Sequence, residues 1–134
     1  MDGKSIVLSG TVASGSGEGT YFMSMSYYQK KIKEKLGFRA YPGTLNLKVG
    51  KKQADALKNS GTVKISSYKA NGKTLGGVSC CRAAIGNLRC AMIIPDLTRH
   101  KETIELIAPV HLKSELKLKD GDKITVKIFN SSKN

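Results

Sequence analysis

Tryptophan is absent from this chain, and Phe, Tyr and Trp together make up only 6% of it. A protein that holds nucleic acid by stacking bases on aromatic platforms would be expected to carry more. Cysteine is scarce too, with only Cys80, Cys81 and Cys90. Their number is odd and no pair has CxxC spacing, which argues against a disulfide framework and a structural zinc site. No apolar run approaches the ~20 residues of a membrane span. The opening MDGKSIVLSG has neither an adequate hydrophobic region nor a small-residue cleavage site, so secretion is not expected. A reducing cytosol is the simplest home. Acidic residues are also few: 10 Asp+Glu stand against 23 Lys+Arg, a net charge of +13. Such a field attracts nucleic acid, anionic membrane or phosphorylated small molecules, and charge alone does not choose among them. It also serves simply as a solubilising lysine surface.

What is present fits one compact domain over 1–134, with 40% hydrophobic residues. Ser5–Ala13 reads as a strand, followed by a glycine-rich loop, Ser14–Tyr21. Tyr28, Ile32 and Leu36 recur at helical spacing, which predicts a helix over Tyr28–Leu36 that Gly37 ends. Lys30, Lys31, Lys33 and Lys35 form its solvated face. A strand over Thr44–Val49 and a short helix over Lys52–Lys58 follow. Thr62–Tyr68 and Lys73–Cys80 read as strands joined at Asn71-Gly72. Arg82–Ile85 and Leu88–Ile94 flank a Gly86-Asn87 turn. Glu102–Ala108 is a strand, and Asp120-Gly121 turns the chain into a last one, Lys123–Phe129. The SSKN tail is expected to fray. Many short strands, close turns and no βαβ rhythm predict a mainly β fold: a small barrel with one or two short helical insertions.

Two stretches point to chemistry. GSGEG, Gly15–Gly19, lets backbone N–H groups approach an anion closely. It lacks the GK[ST] of a Walker loop and the spacing of a dinucleotide fingerprint, and a plain surface turn also fits. In YPGTLNLKVG, Thr44, Asn46 and Lys48 share one strand face. Thr44 and Asn46 offer two neutral oxygens, suited to a Mg²⁺ ion that takes its other ligands from water and phosphate. They equally suit the wet face of a half-buried strand, and Lys48 is most simply solvent-facing. Glu105, a lone acid in the apolar IELIAPV, is either a ligand acceptor, a general base or an ion-paired surface residue. His100 and His111 read as ordinary histidines, and Cys80-Cys81 as packing.

Three segments in series carry a resemblance: GTVASGSGEGTYFMS, KLGFRAYPGTLNLKV and IIPDLTRHKETIELIAPVHLKSELKLKDGDKITV. Together they resemble the archaeal CTP-dependent riboflavin kinases. The resemblance covers nearly the whole chain, with Lys51–Leu88 carrying little of it. It implies a six-stranded cradle-loop (RIFT-type) β-barrel and transfer of the γ-phosphoryl group of CTP to riboflavin, giving FMN and CDP. By that resemblance Gly15, Ser16, Gly17, Glu18, Gly19 and Thr20 form a first nucleotide-binding loop. Val110, His111, Leu112 and Lys113 form a second. Thr44 and Asn46 bind Mg²⁺, within a GTLN motif similar to the PTxN of other riboflavin kinases. Thr98 and Glu105 contact the flavin, Glu105 with a catalytic role. Ser16 departs from the family's larger apolar residue. The expected partners are CTP/CDP and riboflavin/FMN, acting on a monomer with no membrane and no specific nucleic acid. The alternative is a basic nucleic-acid-binding barrel, because LKLKDGDKITVKIF also resembles the terminal hairpin of AbrB-type transcription factors.

Overall fold

Alternating apolar residues produce strands with one buried face, and the structure forms them where that alternation is strongest. It is a computed structural model that describes residues 5–15, 18–58, 60–70, 72–96 and 102–129. In chain order, β1 (Ser5–Ala13) leads to α1 (Glu18–Met23), α2 (Ser26–Leu36), β2 (Leu45–Lys48) and α3 (Lys51–Leu57). There follow β3 (Val63–Ile65), β4 (Tyr68–Ala70), β5 (Lys73–Leu75), β6 (Val78–Ile85), β7 (Leu88–Pro95), β8 (Thr103–Ile107), α4 (Leu112–Glu115) and β9 (Lys123–Phe129). Asn71, His100 and the SSKN tail lie outside the described residues.

Six strands close into an antiparallel barrel in the order β6-β7-β8-β2-β1-β9. The seam is short: Ala83 faces Ile128 and Ala84 faces Lys127. The first half of β6 pairs instead with β3, from Val63↔Cys80 to Ile65↔Val78. The hairpin at Gly72 continues outward in the same register as β4–β5, from Ala70↔Lys73 to Tyr68↔Leu75. The expected pair of long strands is thus interrupted at Ser66-Ser67 and Gly76-Gly77, where neither side belongs to a strand. Conversely, Cys81 does not divide β6, which runs unbroken through it.

Strand alternation sorts the apolar residues into two cores. Leu8, Val12, Leu45, Leu47, Cys81, Met92, Ile104, Leu106, Val126 and Ile128 fill the barrel, with Leu57 of α3 and Leu112 of α4 packed among them. Their strand neighbours of opposite parity, Val78, Cys80, Ala91, Ile93 and Ile107, point outward and meet Met23, Tyr28, Ile32 and Leu36. Each fully buried Leu or Ile contributes roughly 1.5–3 kcal/mol relative to exposure, so the outer core holds α2 firmly on the barrel wall. Gly37 ends α2 with φ 87°, its N–H donating to Lys33 O at 3.0 Å. Tyr27 stacks on Tyr68 at 4.4 Å and donates its hydroxyl to Ser66 O, tying the outer hairpin to α2.

Two helices add to the expected pair. The segment expected to be loop as far as Tyr21 is helical from Glu18, because Met23 anchors it in the outer core. Gln29 then clamps that anchor: its Nε2 donates to Met23 O and Ala40 O, each at 2.7 Å, and its Oε1 accepts from Ala40 N at 3.0 Å. The short α4 forms where Leu112 enters the barrel. Among the described residues no helix is long and apolar enough to cross a membrane.

Candidate active site on the β1–β2–β8 face

The site starts from register. In β2 the row next to the core pairs Val12, Leu47 and Ile104, all buried. One step along, Ala13, Asn46 and Glu105 stand opposite one another on β1, β2 and β8, facing outward. Directly opposed residues on one sheet face have Cβ atoms about 4.5–5.5 Å apart, so the Asn46 carboxamide and Glu105 carboxylate are neighbours. Thr44 lies just before β2 and joins them, its Oγ1 donating to Glu105 Oε2 at 3.0 Å. A γ-turn positions it: Gly43 N donates to Tyr41 O at 2.8 Å across Pro42, whose fixed φ suits the centre of such a turn.

Gly15, two residues beyond Ala13, lies directly over this row. A Cβ placed on it would overlap the Asn46 carboxamide. A side chain here would have to displace the Asn46 carboxamide, so the start of the glycine-rich stretch and the Thr44/Asn46 pair occupy one side of the molecule. Ser16, Gly17 and Thr98 lie outside the described residues. Glu18 and Gly19 open α1, and Thr20 is an exposed residue within it.

The 110–113 segment reaches the same region. The His111 ring sits 4.8 Å from that of Tyr41, and a Cβ on Gly43 would lie within 4 Å of both. His111 Nδ1 is hydrogen-bonded to Ser114 Oγ at 2.6 Å. Leu112 is buried in the barrel and Val110 packs against that core, so Leu112 has chiefly its backbone to present to a ligand. Lys113 Nζ donates to Asp120 Oδ1 at 2.8 Å, and Ser14 Oγ donates to Asp120 Oδ2 at 2.9 Å. The Lys113 ammonium, and then Ser14, hold the Asp120 carboxyl below the usual carboxylate range.

Other candidates resolve more simply. Lys48 is exposed and pairs loosely with Glu102 at 3.6 Å, an arrangement that adds little to stability. Cys80, Cys81 and Cys90 are buried free thiols. Burial pushes Cys80 and Cys90 up to about 12. Cys81 donates to Ser60 O at 2.7 Å. Among the described residues no group of three or more His, Cys, Asp and Glu is placed to cage a metal ion.

A cleft of about 700 Å³ opens between α1, α2 and the segment leading to Pro42, which precedes the Gly43-Thr44 step of the chain. That is within the ~300–1,000 Å³ of small-molecule sites. Lys30, Lys33 and Arg39 line it with no acidic side chain among them. Sequence reasoning read these lysines only as a solvated helix face, and missed Tyr41, Ser14 and Asp120. Asp120 was legible as a turn residue, and nothing local to it signals partners at Ser14 and Lys113.

Comparison with known proteins points to one family. A family model named for CTP-dependent riboflavin kinase, and described as domain of unknown function DUF120, matches residues 12–128. The chain is 40% identical over 131 residues to a riboflavin kinase of Saccharolobus solfataricus, covering 93% of this chain and 75% of that one. It is 39% identical over 130 residues to a riboflavin kinase of Ignicoccus hospitalis, covering 94% and 73%. A riboflavin kinase of Thermococcus kodakarensis is 41% identical over 126 residues, 92% of this chain and 59% of that one.

Proposed function

The chain belongs to the CTP-dependent riboflavin kinase family, and on that premise we propose that it transfers the γ-phosphoryl group of CTP to the 5′-hydroxyl of riboflavin, releasing FMN and CDP. The observation that carries the reading is the Thr44–Glu105–Asn46 cluster lying under Gly15. The nucleic-acid-binding alternative is not supported by these relatives, all described as riboflavin kinases.

The reaction forms a bond between the riboflavin 5′-oxygen and the γ-phosphorus and breaks the bond from that phosphorus to the β–γ bridging oxygen. The hydroxyl proton must leave, and CDP departs. The transition state is loose, so alignment and charge stabilisation supply most of the acceleration. Gly15–Gly19 and Thr20 would hold phosphates through backbone N–H groups, which approach closely because Gly15 carries no side chain. Val110, His111, Leu112 and Lys113 would hold the nucleoside end. Thr98 and Glu105 would hold the flavin, with Glu105 orienting the ribityl chain or accepting the hydroxyl proton.

Thr44 and Asn46 are the residues that would hold Mg²⁺. The fit rests on chemistry: the Thr44 hydroxyl hydrogen is committed to Glu105, which leaves its lone pairs free, and Asn46 supplies a carboxamide oxygen. Two neutral oxygens suit a cation that keeps waters and shares phosphate oxygens. When bound, the ion would neutralise charge on the transferring phosphates. Lys30, Lys33 and Arg39 add positive potential in the cleft that they line. The three free thiols suit a reducing cytosol, where we propose that the enzyme acts as a monomer.

The test is a donor panel. The protein is incubated with riboflavin, Mg²⁺ and CTP, ATP, GTP or UTP in turn, and FMN is resolved by chromatography. FMN formed best with CTP is expected. No FMN with any donor, from folded protein, overturns the reading.

A further inference from the structure

We propose that Asp120 is a positioning residue for the phosphoryl donor, holding the two nucleotide segments in their closed relation through Ser14 and Lys113. This rests on the kinase reading above and adds to it a residue that touches neither substrate nor the Thr44–Glu105–Asn46 cluster.

The geometry is specific. One carboxylate oxygen accepts from Ser14 at 2.9 Å and the other from Lys113 at 2.8 Å. Ser14 immediately precedes Gly15, which sits against the Asn46 carboxamide. Lys113 ends the 110–113 segment. A single side chain therefore spans two segments that the sequence places far apart, one before α1 and one in α4.

The carboxylate is itself held on a braced turn. Lys119 N donates to Asp122 Oδ2 at 2.7 Å, and Asp122 N donates to Lys119 O at 3.0 Å. The turn is fastened to β1 from both sides: Gly121 N donates to Val12 O at 2.8 Å, and Val12 N donates to Asp122 O at 2.8 Å. Gly121 takes φ 97°, a conformation that favours glycine. Asp120 thus stands on a fixed base and reaches out to the residue after β1 and to α4.

An exposed pair of this kind does little for global stability. The Lys113 and Asp120 side chains are 37% and 52% exposed. What the pair changes is local order. With Asp120 in place, the backbone at Ser14-Gly15 and the Lys113 ammonium are set before the nucleotide arrives. Without it, both must be ordered at the moment of binding, and that cost falls on donor affinity. The acceptor side, built on β2 and β8, is untouched.

The experiment measures steady-state kinetics on the full chain for wild type, Asp120→Ala, Asp120→Asn, Ser14→Ala and the Ser14→Ala/Asp120→Ala double variant. Asp55→Ala is the control, since Asp55 makes a comparable exposed pair with Lys51 at 3.0 Å, on α3. In Asp120→Ala the KM for CTP is expected to rise about tenfold, with the KM for riboflavin within about twofold. Asp120→Asn should be intermediate, because it keeps an acceptor for Ser14 and loses the charge opposite Lys113. Ser14→Ala should raise the CTP KM less, and add little on top of Asp120→Ala, because the two act through one contact. Asp55→Ala should change neither constant. An unchanged CTP KM in Asp120→Ala, or equal rises in both KM values, overturns the proposal while leaving the kinase reading intact. A wild-type protein that makes no FMN from CTP overturns the kinase reading, and this proposal with it.

Discussion

Thr44 gives its hydroxyl hydrogen to Glu105 Oε2 across 3.0 Å, joining the residue after the Pro42-Gly43 turn to the middle of β8. The bond has two consequences. It orients a carboxylate that faces outward beside Asn46, and it points the remaining lone pairs of the threonine oxygen away from that carboxylate. A carboxamide and a carboxylate on paired strands, and a hydroxyl at the turn that leads into β2, are thereby pre-arranged, as a site dependent on alignment requires.

Replacing both Thr44 and Asn46 with alanine should lower turnover by about 10²–10³-fold, the scale seen when a charge-stabilising contact is removed from a transition state. Both side chains face away from the barrel core, so circular dichroism and the melting temperature should stay close to wild type. Near-normal FMN formation by the double variant would sink the metal assignment.

Gly15→Ala puts a methyl group where the Asn46 carboxamide now lies. Either the loop lifts or Asn46 turns away, and a misplacement of about 1 Å can cost up to about 10²-fold in rate. Turnover is expected to drop tenfold or more by that argument, with unfolding in urea little changed. A variant as active as wild type would show that the loop does not work at this distance from Asn46.

The thiols make a prediction about pH and reactivity. Burial raises Cys80 and Cys90 from the ordinary 9.0 to about 12, so the folded protein binds their protons more tightly than the unfolded chain does. Their contribution to stability is complete below the unfolded value of about 9 and declines as pH climbs toward 12. Iodoacetamide at pH 8 should label neither cysteine in native protein and both after denaturation, read by mass spectrometry. Rapid native labelling would contradict their burial.

Gln29→Leu tests how α1 is held. Three hydrogen bonds to Met23 and Ala40 are lost, and the Ala40 N–H and two carbonyls are left to find new partners. Each such loss costs roughly 1 kcal/mol or more, so about 2–4 kcal/mol of stability should go. Urea unfolding measures this. A loss below about 0.5 kcal/mol, the range of ordinary surface substitutions, would mean that water replaces the glutamine without penalty.

Local chemistry carried much of this structure in readable form. Ile124, Val126 and Ile128 alternate with charged or polar neighbours, and β9 lies where they do. Tyr28, Ile32 and Leu36 mark the buried stripe of α2, and Gly37 stops it. The three quoted segments carried the family. These signals survive in one dimension because strand and helix periods act over two to four residues, and because a turn residue answers only to its own φ and ψ. Other features depended on which distant strands meet. Closure of β6 on β9, the opposition of Asn46 and Glu105, and the helical start at Glu18 are such cases. The reach of Asp120 to Ser14, 106 positions away, is another. Registers of that kind arise when whole apolar faces are buried together. A shift of one residue would turn Asn46 and Glu105 inward and their core neighbours outward, so the tertiary fold decides them as a set.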